Sequence, residues 1–285
     1  MNIKKLNVRG LNYQIQEWGK PNKPLLFLLH GWMDCGASFK FMAEYLKDDF
    51  FLVAPDWRGF GETDHAPGYW FADYYADLEF ILNEYSPDRA VDLVGHSMGG
   101  NIALMYSGIR PERVARVMSL EGLGLADTQS ESNPQYFAHW LDEVALDQKT
   151  KIYPDLETLK VSIRTGNPSL SEEMVTELTY LWAKPYGKLG QMQLKHDHIH
   201  RYPSPLRYNF QDTLAAWRQV KAEAAIVMAQ DSSFYRRYLR SGRIDDAVSS
   251  LPMTEESVFL VQDASHMLHL EQPSSVASVI RSFFV

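Results

Sequence analysis

A single serine, Ser97, stands between glycines at a point where one apolar stretch ends and the next begins. In VDLVGHSMGG (91–100), Gly95 and Gly99 flank the serine at the spacing of the pattern G-x-S-x-G. In a sharp strand-to-helix turn, small neighbours relieve crowding, and the serine hydroxyl is exposed at the end of a sheet. The first helical N–H, that of Met98, then faces any negative charge that develops on a substrate. The pattern predicts a nucleophilic serine and one oxyanion-hole donor.

A nucleophilic serine needs a base and a carboxylate that orients the base. His266 follows the last apolar run, in VQDASHMLHLEQP, and His269 comes three residues later. Two carboxylates follow earlier apolar runs: Glu121 ends RVARVMSLE and Asp231 ends AAIVMAQD. Both preserve the order serine, acid, histidine, so the residues alone leave the acid open.

Short, continuously apolar runs indicate buried strands, and residues of this kind meet where such strands end. These are LLFLLH (25–30), FFLVAPD (50–56), AVDLVGHS (90–97), RVARVMSLEG (113–122), AAIVMAQD (224–231) and SVFLVQDASH (257–266). Amphipathic helical segments separate most of them, and NYQIQEW (12–18) alternates as an edge strand does. We predict an α/β fold with a doubly wound, mostly parallel sheet.

The strand–helix alternation breaks in the middle of the chain. Residues 122–212 contain helical patterns without a clear buried strand, and they predict a helical cap inserted into a core of residues 1–121 and 213–285. In this insertion, His196, His198 and His200 alternate and would share a face of a strand, as ligands of zinc or copper do. No cysteine or carboxylate completes a convincing second half of a site, so we predict no metal.

Composition restricts the kinds of molecule that the protein is expected to bind. The chain has 285 residues, 45% of them hydrophobic, and a net charge of -8. No basic run exists to neutralise phosphates, so nucleic acid is not expected as a partner. One cysteine fits a reducing compartment, the N-terminus lacks the features of a secretory signal, and no apolar run is long enough to span a bilayer. We expect a cytoplasmic monomer or homodimer that acts on a small molecule away from membranes.

Four motifs in a fixed order carry a family resemblance. HGW (30–32), PDWRGFGETD (55–64), GHSMGG (95–100) and DASHMLHLEQP (263–273) follow one another as in the α/β-hydrolase superfamily. The chain resembles most the serine-hydrolase-like branch. The resemblance implies an inserted helical cap above the sheet and a site that needs no cofactor.

Site residues follow from the resemblance at matching positions. It implies that the Trp32 N–H is the second oxyanion-hole donor, that His30 and Gly31 shape its loop, and that His266 rather than His269 is the base. The strand before Asp231 usually supplies the acid, but here AQDSSF departs from the usual G-x-x-D pattern. Haloalkane dehalogenases and cofactor-free quinaldine-type dioxygenases place the acid where Glu121 stands, and we lean slightly to Glu121.

Pocket residues are predicted around this centre. We expect substrate contacts from residues of the oxyanion-hole loop, of the serine turn and of the cap: His30, Gly31, Cys35, His96, Trp140 and Trp182. The resemblance implies that Asp56, Arg58, Gly59 and Gly61 form a structural turn.

Three functions fit these residues. The favoured one is a serine hydrolase of carboxylesterase type that cleaves a small, largely apolar ester through an acyl-enzyme. A serine at position 97 argues against dehalogenase or epoxide hydrolase activity, since those enzymes use an aspartate there. The alternatives are a cofactor-independent dioxygenase of the same fold and a non-catalytic ligand-binding protein.

Overall fold

A computed structural model of the protein describes residues 1–128, 132–146, 150–187 and 190–285. Within these residues, eight strands form one sheet. The strands are β1 (Asn2–Val8), β2 (Leu11–Trp18), β3 (Leu25–Leu29), β4 (Phe51–Pro55), β5 (Val91–His96), β6 (Val114–Leu120), β10 (Glu223–Ala229) and β11 (Val258–Val261). Their order in the sheet is β1-β2-β4-β3-β5-β6-β10-β11. β2 pairs antiparallel with both β1 and β4, and the six strands from β4 onwards in this order pair in parallel. The predicted doubly wound, mostly parallel sheet is confirmed.

The central strands are continuously apolar because helices cover both faces of the sheet. Alternate side chains of β3 enter different cores, with Phe27 and Leu29 in one and Leu26 and Leu28 in the other. The first core also receives side chains of α2 (Phe71–Tyr85), α3 (Met98–Ile109) and α7 (Phe210–Trp217). The second receives those of α1 (Lys40–Leu46) and α11 (Pro273–Phe284).

The cap contains strands as well as helices. Its helices are α4 (Asn133–Ala145), α5 (Leu156–Gly166) and α6 (Glu172–Trp182). Its described residues also form a small antiparallel sheet of β7 (Ile152–Tyr153), β9 (Met192–Leu194) and β8 (Ala183–Pro185). The sequence predicted a helical cap here, and the structure adds this small sheet to the helices. These strands are two or three residues long, too short for alternation in the sequence to reveal them.

The cap rests on the segment that follows β11. α8 (Ser233–Arg240) and α9 (Arg243–Ser250) precede that strand, and α10 (Leu268–Glu271) follows it. Leu270 of α10 is fully buried in the cluster formed by α5, α6 and the small sheet. This contact ties the cap to the segment that carries both late histidines.

The structure changes two interpretations of the sequence, one of a strand and one of the bounds of the insertion. NYQIQEW is not an edge strand, because β1 lies outside it and pairs with it along seven residues. The start of α7 at Phe210 falls inside the range proposed for the insertion, yet Phe210 packs in the first of the two cores described above.

Among the described residues, no helix combines the length and apolar character that a membrane span requires.

Candidate active site

Ser97 occupies the turn between β5 and α3. Its backbone is in a strained conformation with φ of 51° and ψ of −112°, which holds the residue out of both elements. Gly95 and Gly99 make the turn possible, because a Cβ atom at either position would collide with backbone atoms. The Ser97 N–H donates to the carbonyl of Leu120 at 2.8 Å, so the turn is fixed to the end of β6.

His266 contacts Ser97 and Glu121 through opposite ring nitrogens. Its Nε2 lies 3.0 Å from Ser97 Oγ, and its Nδ1 lies 3.2 Å from Glu121 Oε2. With Nδ1–H donating to the carboxylate, Nε2 keeps a lone pair that faces the serine hydroxyl. The arrangement is that of a serine, a base and an acid in hydrogen-bonding sequence.

Glu121 is held in place by donors other than the histidine. Its side chain is 1% exposed, and its Oε1 accepts the Ala229 N–H at 3.0 Å. The Ser232 hydroxyl donates to Oε2, the oxygen that also contacts His266. A buried carboxylate requires such donors, since burial without partners disfavours the charged form. The backbone of Glu121 adopts a positive φ of 58°.

Asp231 lies outside this arrangement. Its side chain is exposed, and its backbone N–H donates to Ala264 O at 2.9 Å while its carbonyl accepts from Arg236 at 3.1 Å. β10 ends at Ala229, and the turn that follows places Ser232, not Asp231, in the interior. Of the two carboxylates that the sequence offered, the structure brings Glu121 to the histidine.

Ser232 and Phe234 belong to the site although the sequence pattern did not indicate them. Ser232 caps α8, where its Oγ accepts from Phe234 N at 3.0 Å. The Phe234 ring stacks on His266 with centroids 4.0 Å apart and planes 12° apart. A serine one residue before a helix is a capping signal, but nothing in it shows that the hydroxyl also reaches a carboxylate 111 positions earlier.

The loop after β3 lies against the serine turn. A Cβ atom on Gly31 would be 3.3 Å from Ser97 Cβ and 2.9 Å from His96 Nδ1, so only glycine permits this approach. Trp32 follows directly and is 54% exposed. Met98 is the first residue of α3, and its N–H has no carbonyl partner within the helix. Met98 is thus adjacent to Ser97 in the chain, and Trp32 follows the glycine that packs against Ser97.

Three predicted substrate-binding residues lie in the interior instead: His30, Cys35 and His96 are at most 2% exposed. His30 accepts the Trp57 N–H at Nε2 (2.8 Å), and burial lowers its pKa to about 4, so it is a neutral part of the loop's support. Burial raises the pKa of Cys35 well above its ordinary value, which makes the thiol inert. Burial leaves these side chains no surface for a substrate, so they hold the loops of the site.

The two tryptophans of the cap differ. Trp182, at the end of α6, donates its indole N–H to Asp34 Oδ1 at 2.8 Å and so joins the cap to the oxyanion-hole loop. Trp140 lies on α4, a helix in which no residue is buried. The structure thus joins Trp182 to the oxyanion-hole loop, and within the described part of the chain Trp140 has no comparable contact.

The histidines at 196, 198 and 200 do not share a strand face. They follow β9, and the last two lie in a short 3₁₀ helix, His198–Arg201. The ring of His200 is stacked between Phe60 and Tyr69, with centroid distances of 3.8 and 3.7 Å. Burial lowers the pKa of His196 to about 4 and that of His200 to about 3. The arrangement considered for zinc or copper is absent from this described segment.

The predicted structural turn after β4 is built around buried charge. Asp56 accepts the Gly36 N–H at 2.7 Å, and burial raises its pKa to about 6. Arg58 pairs with fully buried Asp77, at 2.7 Å between Nη2 and Oδ1. Both contacts hold loops together and lie apart from Ser97.

Comparisons with known proteins agree with this geometry. A family model described as the alpha/beta hydrolase fold matches residues 24–273. A serine hydrolase-like protein of Danio rerio is 28% identical over 94% of this chain and 83% of its own length. Serine hydrolase-like protein 2 of Homo sapiens is 24% identical over 98% and 92%. Epoxide hydrolase 4 of Homo sapiens is 25% identical over 96% and 76%.

Solved structures share the same architecture. The hypothetical protein PA1622 from Pseudomonas aeruginosa PAO1 superposes with a TM-score of 0.86, at 25% identity over 100% of this chain and 99% of that one. A thioesterase domain from the curacin biosynthetic pathway gives a TM-score of 0.83 at 24% identity, with 99% of each chain covered. The protein is therefore a hydrolytic enzyme of the α/β-hydrolase superfamily, and it is similar to proteins named serine hydrolase-like.

Proposed function

We propose that the protein is a carboxylesterase that cleaves a small, largely apolar ester through a covalent acyl-enzyme. One observation carries the proposal: His266 contacts Ser97 Oγ at 3.0 Å and Glu121 Oε2 at 3.2 Å through opposite nitrogens. This sequence of contacts is what activation of a serine requires. A serine hydrogen-bonded to a base favours acyl transfer over the dioxygenase and ligand-binding alternatives, for which no step needs the serine to lose its proton.

The first half-reaction forms the acyl-enzyme. His266 Nε2 takes the hydroxyl proton of Ser97 as Oγ attacks the ester carbonyl, and Glu121 stabilises the imidazolium that forms. The N–H groups of Met98 and Trp32 stabilise the oxyanion. When the tetrahedral intermediate collapses, the C–O bond of the ester breaks and His266 returns the proton to the leaving alcohol.

The second half-reaction releases the acid. His266 removes a proton from water, and the resulting hydroxide attacks the acyl carbonyl held by the same N–H groups. Collapse of the second tetrahedral intermediate breaks the bond to Ser97 Oγ, which recovers its proton from His266. The carboxylic acid then leaves.

Apolar surface around the serine supports an apolar acyl group. Trp32 exposes 54% of its surface next to the Gly31 contact with Ser97. The Phe234 ring covers one face of His266 and is itself partly exposed. An acyl chain bound along these rings would bury apolar surface, and each Å² buried contributes about 25 cal/mol of favourable free energy.

The test combines turnover with covalent labelling. We expect hydrolysis of p-nitrophenyl esters of graded acyl length and labelling by a fluorophosphonate probe. Both should be lost in Ser97→Ala and retained in Ser249→Ala, a control on the exposed surface of α9. Labelling that survives in Ser97→Ala would place the nucleophile elsewhere. Oxygen consumption with an alkylquinolone-type substrate, without ester turnover, would support the dioxygenase instead.

A further inference from the structure

A second group of titratable side chains lies behind the catalytic histidine. Asp34 comes from the loop after β3, His96 from the end of β5 and His269 from α10. Their exposures are 3%, 1% and 0%, respectively. One ligand atom from each lies within 4.8 Å of the others, and this is the group of three metal-ligating side chains found in the described part of the chain. None of the three takes part in the acyl-transfer steps.

The imidazoles of this group are short of partners. His96 donates from Nε2 to the backbone carbonyl of His266 at 2.7 Å, which leaves Nδ1 as a lone-pair atom without a hydrogen bond. In His269, Nδ1 also has no hydrogen bond, while Nε2 faces Asp34 Oδ2 at 3.4 Å. Buried polar atoms without partners are rare, and a bound metal ion would give these nitrogens the partner that they lack.

The chemistry of the donors selects the kind of ion. Two imidazole nitrogens and one carboxylate suit zinc, cobalt or nickel, whereas calcium and magnesium prefer oxygen ligands. Burial lowers the pKa of His96 well below its ordinary value, which keeps the imidazole in the neutral form that binds metals. Asp34 accepts from Trp182 Nε1 and Ser38 Oγ, each at 2.8 Å, and a carboxylate has lone pairs left after two such bonds.

We propose that Asp34, His96 and His269 bind one divalent transition-metal ion of the zinc and cobalt class. The three side chains supply three ligands, and a water supplies the fourth as in other open zinc sites. The hydrogen bonds from Trp182 and Ser38 orient the carboxylate ligand, as outer-shell partners of metal ligands do.

Binding is tested independently of catalysis. We expect chelator-treated, full-length protein to bind one equivalent of Co²⁺ with visible absorption bands, and Zn²⁺ to displace it. His269→Gln and His96→Gln should each weaken binding at least tenfold. The matched control is His198→Gln, which removes a half-exposed imidazole beside another carboxylate, Asp197, and leaves Co²⁺ affinity unchanged. Anomalous scattering from Zn²⁺-soaked wild-type crystals locates the ion even where a variant fails to fold.

The outcomes separate the two proposals. Ser97→Ala should still bind Co²⁺ although it turns over no ester, so loss of esterase activity leaves the metal site testable. The proposal is overturned if the wild type binds no Co²⁺, if anomalous density lies at surface histidines, or if His198→Gln weakens binding as much as His269→Gln.

Discussion

The Oε2 atom of Glu121, at the end of β6, lies 3.2 Å from Nδ1 of His266, which follows β11. β10 lies between these two strands in the sheet, and the acidic residue after β10, Asp231, is turned to solvent. The carboxylate that contacts His266 thus follows β6, the more central strand, and not β10, the strand next to β11. The interior position next to Asp231 is filled by Ser232, whose hydroxyl supports the carboxylate from the other strand.

Exchange of the two carboxylates for amides should separate their roles. In Glu121→Gln the amide no longer stabilises the imidazolium, and we expect kcat to fall by roughly 10³- to 10⁴-fold, as for other triads that lose the carboxylate. Asp231→Asn should change kcat less than about threefold, because the side chain is exposed and only its backbone is bonded. Steady-state kinetics on a p-nitrophenyl ester measures both. A larger loss in Asp231→Asn would contradict the assignment.

Ser232 should act as a positioning residue. Ser232→Ala removes a donor to the Glu121 oxygen that faces His266, and charge-assisted bonds of this kind contribute about 1.5–3 kcal/mol. We expect kcat to fall about tenfold with little change in KM, since the orientation of the base matters in the transition state. Part of the loss should return in Ser232→Thr, which restores a hydroxyl.

The control for Ser232 is its exposed neighbour. Ser233→Ala should leave kcat unchanged, because Ser233 starts α8 without a contact to the carboxylate. A purely structural role for Ser232 would instead lower the free energy of unfolding, by about 1 kcal/mol for a lost cap, at an unchanged kcat per folded molecule. Urea unfolding, measured beside the kinetics, distinguishes the two roles.

Sequence reasoning succeeded where a motif fixes both the residue type and the backbone around it. Ser97 and Gly31 belong to such motifs, and the structure places both where the spacing predicted. The acid could not be chosen in this way, because β6 and β10 are neighbours whose carboxyl ends meet at one edge. The choice depends on which side chain turns inward, and that follows from the positive φ of Glu121 and from tertiary contacts.

Other features were missed because they depend on contacts between distant segments. The stacking of Phe234 on His266 joins α8 to the loop after β11, and no periodicity predicts it. The Asp34–His269 pair similarly joins two motifs that were each interpreted alone. The short strands of the cap carry too few residues for a pattern.

Acid should destabilise the protein through its buried histidines. The pKa of His200 is lowered to about 3 by burial, while an unfolded histidine titrates near pH 6.5. Between these values the unfolded chain binds more protons, so the stabilisation present above pH 6.5 is lost as the pH falls towards 3. His196 and His30, each with a pKa lowered to about 4, act in the same direction.

The variant His200→Phe tests the contribution of one ring. Phenylalanine keeps a planar ring between Phe60 and Tyr69 and binds no proton. We expect the free energy of unfolding to depend less on pH, by up to about 1.4 kcal/mol per pH unit near pH 5. Urea unfolding between pH 4.5 and 7.5 measures this slope. Tyr202→Phe, in the same turn, should keep the wild-type slope, and an unchanged slope in His200→Phe would refute the prediction.

The link between cap and core should matter for catalysis through Trp182 rather than through Trp140. Trp182→Phe keeps an aromatic ring but removes the indole N–H that donates to Asp34 Oδ1. This buried oxygen then lacks its donor, although Oδ2 keeps the Ser38 hydroxyl, at a cost of about 1–3 kcal/mol. Asp34 lies two residues after Trp32, so a shift of its loop would misplace the oxyanion-hole N–H. We expect kcat/KM to fall about tenfold and the free energy of unfolding to fall by about 1–3 kcal/mol.

Trp140→Phe, on a helix without buried residues, should change kcat/KM less than about twofold with a short-chain ester. A greater loss in Trp140→Phe would mean that α4 covers the substrate during turnover, and ester panels of both variants would show it as a loss that grows with acyl length.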